Sequence, residues 1–434
     1  MPRYNLILIV SDALRADHLG CYGYQRDTSR NIDRLAARGT VFTQASSQSS
    51  TTGAAHAAIM TARLPTDLGI LSNHGLIPGS DKTLAEILHS ADYQTAAFVS
   101  NAVLHAKGLR GIERGFDLYD CNLSSLEPNR PVAFRRSAET SAAAEEWLRG
   151  AREPFFLWVH FIEPHGPYLA SDAEQVRRIE KDTLAAAQRK RLAPLGGDAG
   201  PNGIPRYQAL PGVTRVSSYI ARYDACISDM DRAVGELLAA LERKGVTERT
   251  VIAFTSDHGE ALGEHGYYFQ HPHDLTEEVL HVPLILRLPG CAAPGKVPSV
   301  VQAVDLMPTL LEALGLRARI PAGARGSPLF APTVARVGAR DVLSAVWDFR
   351  RSLPLGSVRR GGWKLIASQP PGERRLFYLP TDPDELRNLA SQEGEQVETL
   401  YAALEPHLRK AKPPAAPELD AGTREALRRL GYLN

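Results

Sequence analysis

Two runs of apolar residues each end in groups that can bind a cation. Leu6-Ile7-Leu8-Ile9-Val10 is followed by Ser11-Asp12, and Val251-Ile252-Ala253-Phe254 is followed by Thr255-Ser256-Asp257-His258-Gly259-Glu260. Carboxylate oxygens and an imidazole, with no thiolate, suit Mn, Ca, Zn or Mg. An Asp-His pair alone reads more readily as a helix cap. Two features favour a metal site: Gly259 permits close backbone approach, and Asp12 occupies the matching place behind a second strand. Asp17 and His18 follow closely and read as surface or supporting groups.

A nucleophile is available at Thr52. The polar run Ser46 to Thr52 leads into Ala54-Ala55-His56-Ala57-Ala58-Ile59-Met60, a good helix. Thr52 therefore falls near a helix N-terminus, where free N–H groups and the helix dipole favour negative charge. His56 lies four residues on and shares its face. The plainer reading is that Thr51 or Thr52 caps the helix, since caps are far commoner than nucleophiles. His165 stands in a turn beyond the run Phe155–Phe161, and His271 and His273 lie in a loop after the Asp-His pair. Histidines in such places are available as general acids or as donors to substrate oxygens.

These groups require a scaffold that presents strand ends at one edge. The runs Asn5–Val10, Tyr93–Ser100, Phe155–Phe161, Val251–Thr255 and Val282–Leu286 are continuously apolar, as in parallel strands covered on both faces. Helical patterns open at Thr83 and extend over Ala138–Gly150 and Ser217–Leu241, the last ending near Gly245. The alternation predicts a doubly wound, mostly parallel α/β sheet flanked by helices. Residues 171–213 break the rhythm with a charged helical piece, Ala173 to Arg191, and a Gly- and Pro-rich stretch. They read as a surface insertion, a candidate lid. Near residue 320 the character changes. Residues 321–434 predict a smaller α+β subdomain, with short antiparallel strands around Val358, Leu365 and Phe377 and a helix over Glu395–Lys410.

The chain has 434 residues and a formal charge of +1, and its basic residues form no stripe, so neither nucleic acid nor an anionic membrane is indicated as partner. Gln188-Arg189-Lys190-Arg191 is too short to signal an interaction tail. The four cysteines, Cys21, Cys121, Cys226 and Cys291, are too widely spaced for a zinc knuckle or redox pair. No apolar run reaches the roughly 18 residues of a spanning helix. The first apolar run lacks a signal-peptide cleavage site, so a cytoplasmic protein is expected. A homo-oligomer is compatible with this composition.

Taken together, the motifs resemble the sulfatase family of the alkaline phosphatase superfamily over nearly the whole length. They are Asp12-Ala13-Leu14-Arg15-Ala16-Asp17-His18-Leu19-Gly20-Cys21-Tyr22-Gly23, Thr52-Gly53-Ala54-Ala55-His56 with Thr61-Ala62-Arg63-Leu64-Pro65, and His160-Phe161-Ile162-Glu163-Pro164-His165-Gly166-Pro167-Tyr168. Ser256-Asp257-His258-Gly259-Glu260, His281-Val282-Pro283-Leu284-Ile285, Asp305-Leu306-Met307-Pro308-Thr309-Leu310 and the tail Tyr378 to Glu385 complete the order. The resemblance implies an alkaline phosphatase-like catalytic domain over 1–320.

It also implies roles. Thr52 occupies the position of the nucleophile in the family's Cys/Ser-x-Pro-Ser-Arg motif, with Ala54 and Ala55 in place of Pro and Ser and His56 in place of Arg. Sulfatases oxidise that Cys or Ser to formylglycine, which a threonine, with a methyl on Cβ, cannot form. Threonine is the nucleophile in phosphate-handling branches. The metal set carries over as Asp12, Asp257, His258 and Thr52. Ala13 stands where many sulfatases have a second Asp. The Asp-His pair is similar to that of phosphonate monoester and phosphodiester hydrolases. The Asp-x-x-x-His set of two-zinc phosphatases is not visible, which implies one divalent ion. Asn101 falls where the family has Gly-Lys-x-His, and His271 where it has lysine. Asn73, Asn101 and His273 are expected to contact substrate, His165 or His271 to protonate the leaving group, and His56 to orient or deprotonate Thr52.

The expected activity is hydrolysis of a small-molecule phosphodiester or phosphonate monoester. A sulfuric ester hydrolase using unmodified threonine and a catalytically silent binding protein of the same fold are the alternatives.

Overall fold

The computed structural model describes residues 3–105, 108–181, 190–271, 274–290, 295–330, 340–370 and 372–414. Eight strands form the main sheet: β1 (Asn5–Asp12), β2 (Thr40–Ser46), β3 (Gln94–Val99), β4 (Leu118–Asp120), β5 (Phe155–Pro164), β6 (Thr250–Ser256), β7 (His281–Arg287) and β8 (Gly295–Gln302). Their order across the sheet is β8-β2-β7-β6-β1-β5-β3-β4.

β1 lies between β6 and β5 and is parallel to both. Leu6, Leu8 and Val10 enter the core on one face of the sheet, and Ile7 and Ile9 the core on the other. Covering both faces explains the unbroken apolar run. Each fully buried aliphatic side chain contributes about 1.5–3 kcal/mol, so β1 is held firmly in register. That register pairs Ser11 with Ser256, so the next residues, Asp12 and Asp257, leave neighbouring strands side by side.

The helices that flank or border this sheet include α1 (Thr52–Thr61), α2 (Leu84–His89), α3 (Ser137–Gly150), α4 (Ala173–Lys181) and α5 (Val216–Lys244). α2 begins with a capping box between Thr83 and Glu86, and α5 stops at Gly245, whose φ is 72°. Every residue of α1 is buried, which explains its alanines: larger side chains would not fit a helix enclosed all round. A second sheet is antiparallel, with β9 (Val342–Asp348), β10 (Leu353–Arg360), β11 (Trp363–Ser368) and β12 (Arg374–Tyr378) in sequence order. Helix α6 (Gly394–Lys410) covers one face through Leu400, Leu404 and Leu408. β9 is tied to the main body by Ala345 N–H donating to Gln48 O (2.9 Å) and Trp347 N–H donating to Leu71 O (2.8 Å).

The chain departs from the sequence expectation in three places. β7 runs antiparallel to β6 and β2, whereas its apolar run predicted a parallel strand. Burial on both faces gives the same pattern in either direction. Among its described residues the connection 257–280 contains no crossover helix, and it returns to the edge it left. Strands β2, β4, β8 and β9 were not anticipated; β8 is an edge strand with an exposed first half, so its pattern is diluted by polar residues. The charged helix expected over Ala173–Arg191 is described only as α4, and residues 182–189 lie outside the described residues. No described helix is long and apolar enough to cross a membrane.

Candidate functional site

Asp12, Asp257 and His258 are fully buried where β1 and β6 end, and one donor atom from each falls within 4.8 Å of the others. His258 Nε2 is 3.7 Å from Asp12 Oδ1 and 3.6 Å from Asp257 Oδ2. Its other nitrogen, Nδ1, donates to Gly259 O (2.9 Å), which leaves the Nε2 lone pair facing the carboxylates. Asp257 Oδ1 accepts from the backbone N–H groups of Ala13 (3.2 Å) and His258 (2.7 Å). Asp257 Oδ2 and Asp12 Oδ1 have no hydrogen-bond partner among the described residues.

The surrounding chain is built to hold these positions. Ala13 has φ of 59°, a left-handed turn that L-residues take at a cost of roughly 1–2 kcal/mol. Tyr223 of α5 fixes that turn, donating its hydroxyl to Ala13 O (2.8 Å) and accepting from Arg15 N–H (3.0 Å). A Cβ on Gly259 would lie 2.2 Å from Glu278 O, so the close approach expected there is real. Asp17 pairs with Arg15 at 2.8 Å and His18 with Asp224 at 2.7 Å, both in supporting places.

Thr52 is the first residue of α1, and its Oγ1 is 3.3 Å from His258 Nε2. Thr51, the preceding residue, makes no side-chain cap. Asn73 does that work instead, its Oδ1 accepting from Gly53 N–H (3.0 Å). The helix tip is thus satisfied by a neighbour, and the Thr52 hydroxyl is turned towards the acids.

His56 bonds to Thr52 through the carbonyl: its Nδ1 donates to Thr52 O at 2.9 Å. The same ring lies 3.6 Å from Asp257 Oδ2. Asn101 donates from Nδ2 to Asp12 Oδ2 at 2.5 Å, so its amide holds an acid of the cluster. His165 and His271 meet at 3.2 Å, Nε2 to Nε2, and the His271 ring is 4.4 Å from that of His258. His273 lies outside the described residues. The insertion braces the strand Tyr268–Gln270 immediately before His271: Tyr207 and Gln208 donate to Phe269 O, and Gln270 donates to Gly200 O.

Two buried groups carried motif positions but no assigned role. His160 projects from β5 on the same face as Trp158, fully buried, with Nε2 3.6 Å from Asp12 Oδ2. It is the one ionisable residue in the apolar stretch Phe155–Ile162, a signal that the sequence does offer. Glu260 is fully buried, and the Tyr168 hydroxyl is the one hydrogen-bonding group that faces its carboxyl among the described residues.

Electrostatics follow from burial. Burial pushes the Asp12 carboxyl well above the usual carboxylate range; the negative charge of Asp257 adds to this, and the Asn101 hydrogen bond opposes it. Burial raises Glu260 to about 8. It also holds His56 and His160 below the ordinary histidine value and lowers His165 to about 3, with Arg130 adding to the last. Two close carboxylates with unpartnered oxygens, a bare imidazole nitrogen and a hydroxyl form an oxygen-and-nitrogen donor set that fits a divalent cation.

The model of the family described as Sulfatase matches residues 4–316. The chain belongs to the sulfatase family. Its enzymes are ester hydrolases that typically depend on a divalent metal, and this sulfatase-family chain is a hydrolase of ester bonds. It is similar to arylsulfatase K of Rattus norvegicus, 26% identical over 89% of this chain and 75% of that protein. It is also similar to choline-sulfatase of Rhizobium meliloti, 28% identical over 83% and 77%. Among solved structures, one described as holding its substrate D-glucosamine-2-N,6-O-disulfate superposes with a TM-score of 0.76 at 20% identity, covering 94% of this chain and 98% of the other. The phosphonate monoester hydrolase of Agrobacterium radiobacter gives 0.73 at 20% identity, covering 94% and 95%. These likenesses establish the alkaline phosphatase-like fold.

Proposed function

We propose that this chain hydrolyses a small-molecule phosphodiester or phosphonate monoester, with Thr52 as an unmodified nucleophile and a divalent ion held by Asp12, Asp257, His258 and Thr52. The observation that carries the reading is the Thr52 hydroxyl, set at the N-terminus of α1 and 3.3 Å from His258 Nε2. A divalent ion in that donor set would lower the pKa of the hydroxyl and polarise the ester.

The residues supply the rest. With the His258 Nε2 lone pair committed to the ion, the Asp12 carboxylate is the group within reach of the Thr52 proton. Thr52 Oγ attacks phosphorus, the P–O bond to the leaving alcohol breaks, and His165 or His271 returns a proton to that oxygen. Water then cleaves the phosphothreonine. The helix N-terminus favours the negative charge carried through both steps. Asn73 sets the pose of that terminus, and Asn101 that of Asp12. At the positions that the family fills with Arg and Lys stand His56, Asn101 and His271, a set with less fixed positive charge, which favours a monoanionic diester over a dianion. The supporting role of His56 is to orient Thr52 through its carbonyl.

A second reading is a sulfuric ester hydrolase that uses the same threonine; the similarity to arylsulfatase K and choline-sulfatase favours it. Parallel assays with an aryl sulfate, an aryl phosphodiester and an aryl phosphonate, on wild type and Thr52→Ala, decide between them. Turnover of the phosphorus esters that disappears in Thr52→Ala supports the leading reading. Turnover confined to the sulfate overturns it.

A further inference from the structure

Behind the Asp12–Asp257–His258 cluster, α1 crosses the face of the sheet from which Trp158 and His160 of β5 project. His56 enters this space from the helix, and its ring centroid is 5.0 Å from that of His160 and 5.7 Å from that of Trp158. His56, His160 and Asp257 are all fully buried, and one donor atom from each lies within 4.8 Å of the others.

The hydrogen bonding of this space is strongly deficient. His56 Nε2, both ring nitrogens of His160, Trp158 Nε1 and Asp257 Oδ2 are buried without a partner among the described residues. Buried polar atoms are nearly always satisfied, so five orphans in one small volume require an explanation. An apolar void would leave each unmet at a cost. The donor chemistry narrows the choice. His56 Nδ1, 3.6 Å from Asp257 Oδ2, is committed as a donor to Thr52 O, so the ring's lone pair is on Nε2, the orphan atom. A neutral His160 has one bare nitrogen whichever tautomer it takes. Asp257 Oδ1 is saturated by two backbone N–H groups, whereas Oδ2 is open on this side.

Charge points the same way. The ion pairs made by Asp12 and Asp257 among the described residues are with histidines, and neither acid contacts Lys or Arg. A single divalent ion would only balance the two aspartates, leaving no excess for an anionic ester and a threonine alkoxide.

We infer that His56, His160 and Asp257 form a second cation site, with Asp257 shared between it and the site at Asp12, His258 and Thr52. Imidazoles with a carboxylate suit zinc or manganese. A shared carboxylate would place the two ions roughly 3.5–4 Å apart, the spacing of two-metal hydrolytic centres. The site sits where His56 of α1 meets His160 of β5. Its ion would add positive charge beneath the nucleophile's helix turn, at the position where the family has arginine. The inference rests on the reading that Asp12, Asp257 and His258 hold the first ion.

Metal content tests it. Purified protein is saturated with zinc, freed of excess by gel filtration and measured by plasma mass spectrometry. Wild type is expected to retain about two ions per chain, and His160→Ala and His56→Asn about one. One ion per chain in wild type, or two in both variants, overturns the proposal. Should either variant fail to fold, anomalous diffraction at the zinc edge on wild-type crystals decides: a peak bounded by His56, His160 and Asp257 is expected, and a peak at Asp12 and His258 alone overturns it. Stoichiometry is independent of turnover. If Thr52→Ala keeps full activity while two ions bind, the nucleophile reading falls and the second site stands.

Discussion

His165 and His271 face each other Nε2 to Nε2 at 3.2 Å, and both rings have already committed their Nδ1. His165 Nδ1 donates to Gly166 O (2.6 Å) and His271 Nδ1 to Ser50 O (3.1 Å), because a carbonyl can only accept. Two neutral rings so arranged would oppose their lone pairs, and burial pushes His165 down to about 3, so a proton held between them is carried on His271 and accepted by His165. The two histidines therefore act as a unit. His165→Ala and His271→Ala are each expected to cost roughly 10²–10⁴-fold in kcat on an alkyl ester, and the double variant little more than either. The loss should shrink for a nitrophenyl ester, whose leaving group needs no proton. Additive losses, or losses equal for both esters, would contradict a shared acid role.

Thr52→Ala removes the hydroxyl and should lower kcat by about 10³-fold or more on the preferred ester. Thr52→Ser keeps an oxygen in the same place and should retain measurable activity. Rapid-quench detection of phosphate on residue 52 gives a direct readout, present in wild type and absent in the alanine variant.

Chelation should abolish turnover, and divalent metal should restore it. Bound metal should also raise the melting temperature: at a hundredfold excess over Kd the stabilisation is about 2.7 kcal/mol. Metal affinity should fall as pH drops, because Asp12 holds its proton more tightly than an ordinary carboxyl and must release it to bind. Titration calorimetry across the pH range measures this.

Glu163 offers a separate stability test. It is buried at the start of α3, accepting from Ser137 N–H (3.0 Å), and burial raises it from 4.5 to about 7. Its folded value exceeds its unfolded value, so the protonated form favours the fold. That contribution is complete below about 4.5 and is lost as pH rises through 7. Glu163→Gln cannot ionise. Its melting temperature should exceed that of wild type at pH 8 by a few degrees, with the difference vanishing towards pH 5. Thermal unfolding at both pH values reads the difference.

Gly259→Ala would drive a Cβ to within 2.2 Å of Glu278 O. The backbone beside His258 must shift, at a cost of about 1–3 kcal/mol in stability. A parallel loss of metal affinity is expected, and calorimetry should show both.

Much of this arrangement was readable from the residues. The apolar runs ending in Asp12 and Asp257-His258 gave the strand ends, because side chains buried on both faces leave a continuous signature. The direction of β7 was not readable, since that signature is the same in either orientation. Thr52 could be placed at a helix tip, but whether its hydroxyl capped the helix depended on Asn73, twenty residues beyond Gly53, supplying the cap. His56 shares a helical face with Thr52, and four-residue spacing brings its ring to the carbonyl as readily as to the hydroxyl. His160 was hidden inside a strand, where only its polarity among apolar neighbours marked it.

The reversed direction of β7 has a consequence for how such a site diversifies. Because β6 and β7 open onto the same rim, residues 257–280 leave and re-enter the sheet like a handle fixed at both ends. His258, Glu260 and His271 all ride on that handle. Lengthening or exchanging its middle alters what meets the substrate without rethreading a single strand, so new ester preferences can arise here with the framework untouched.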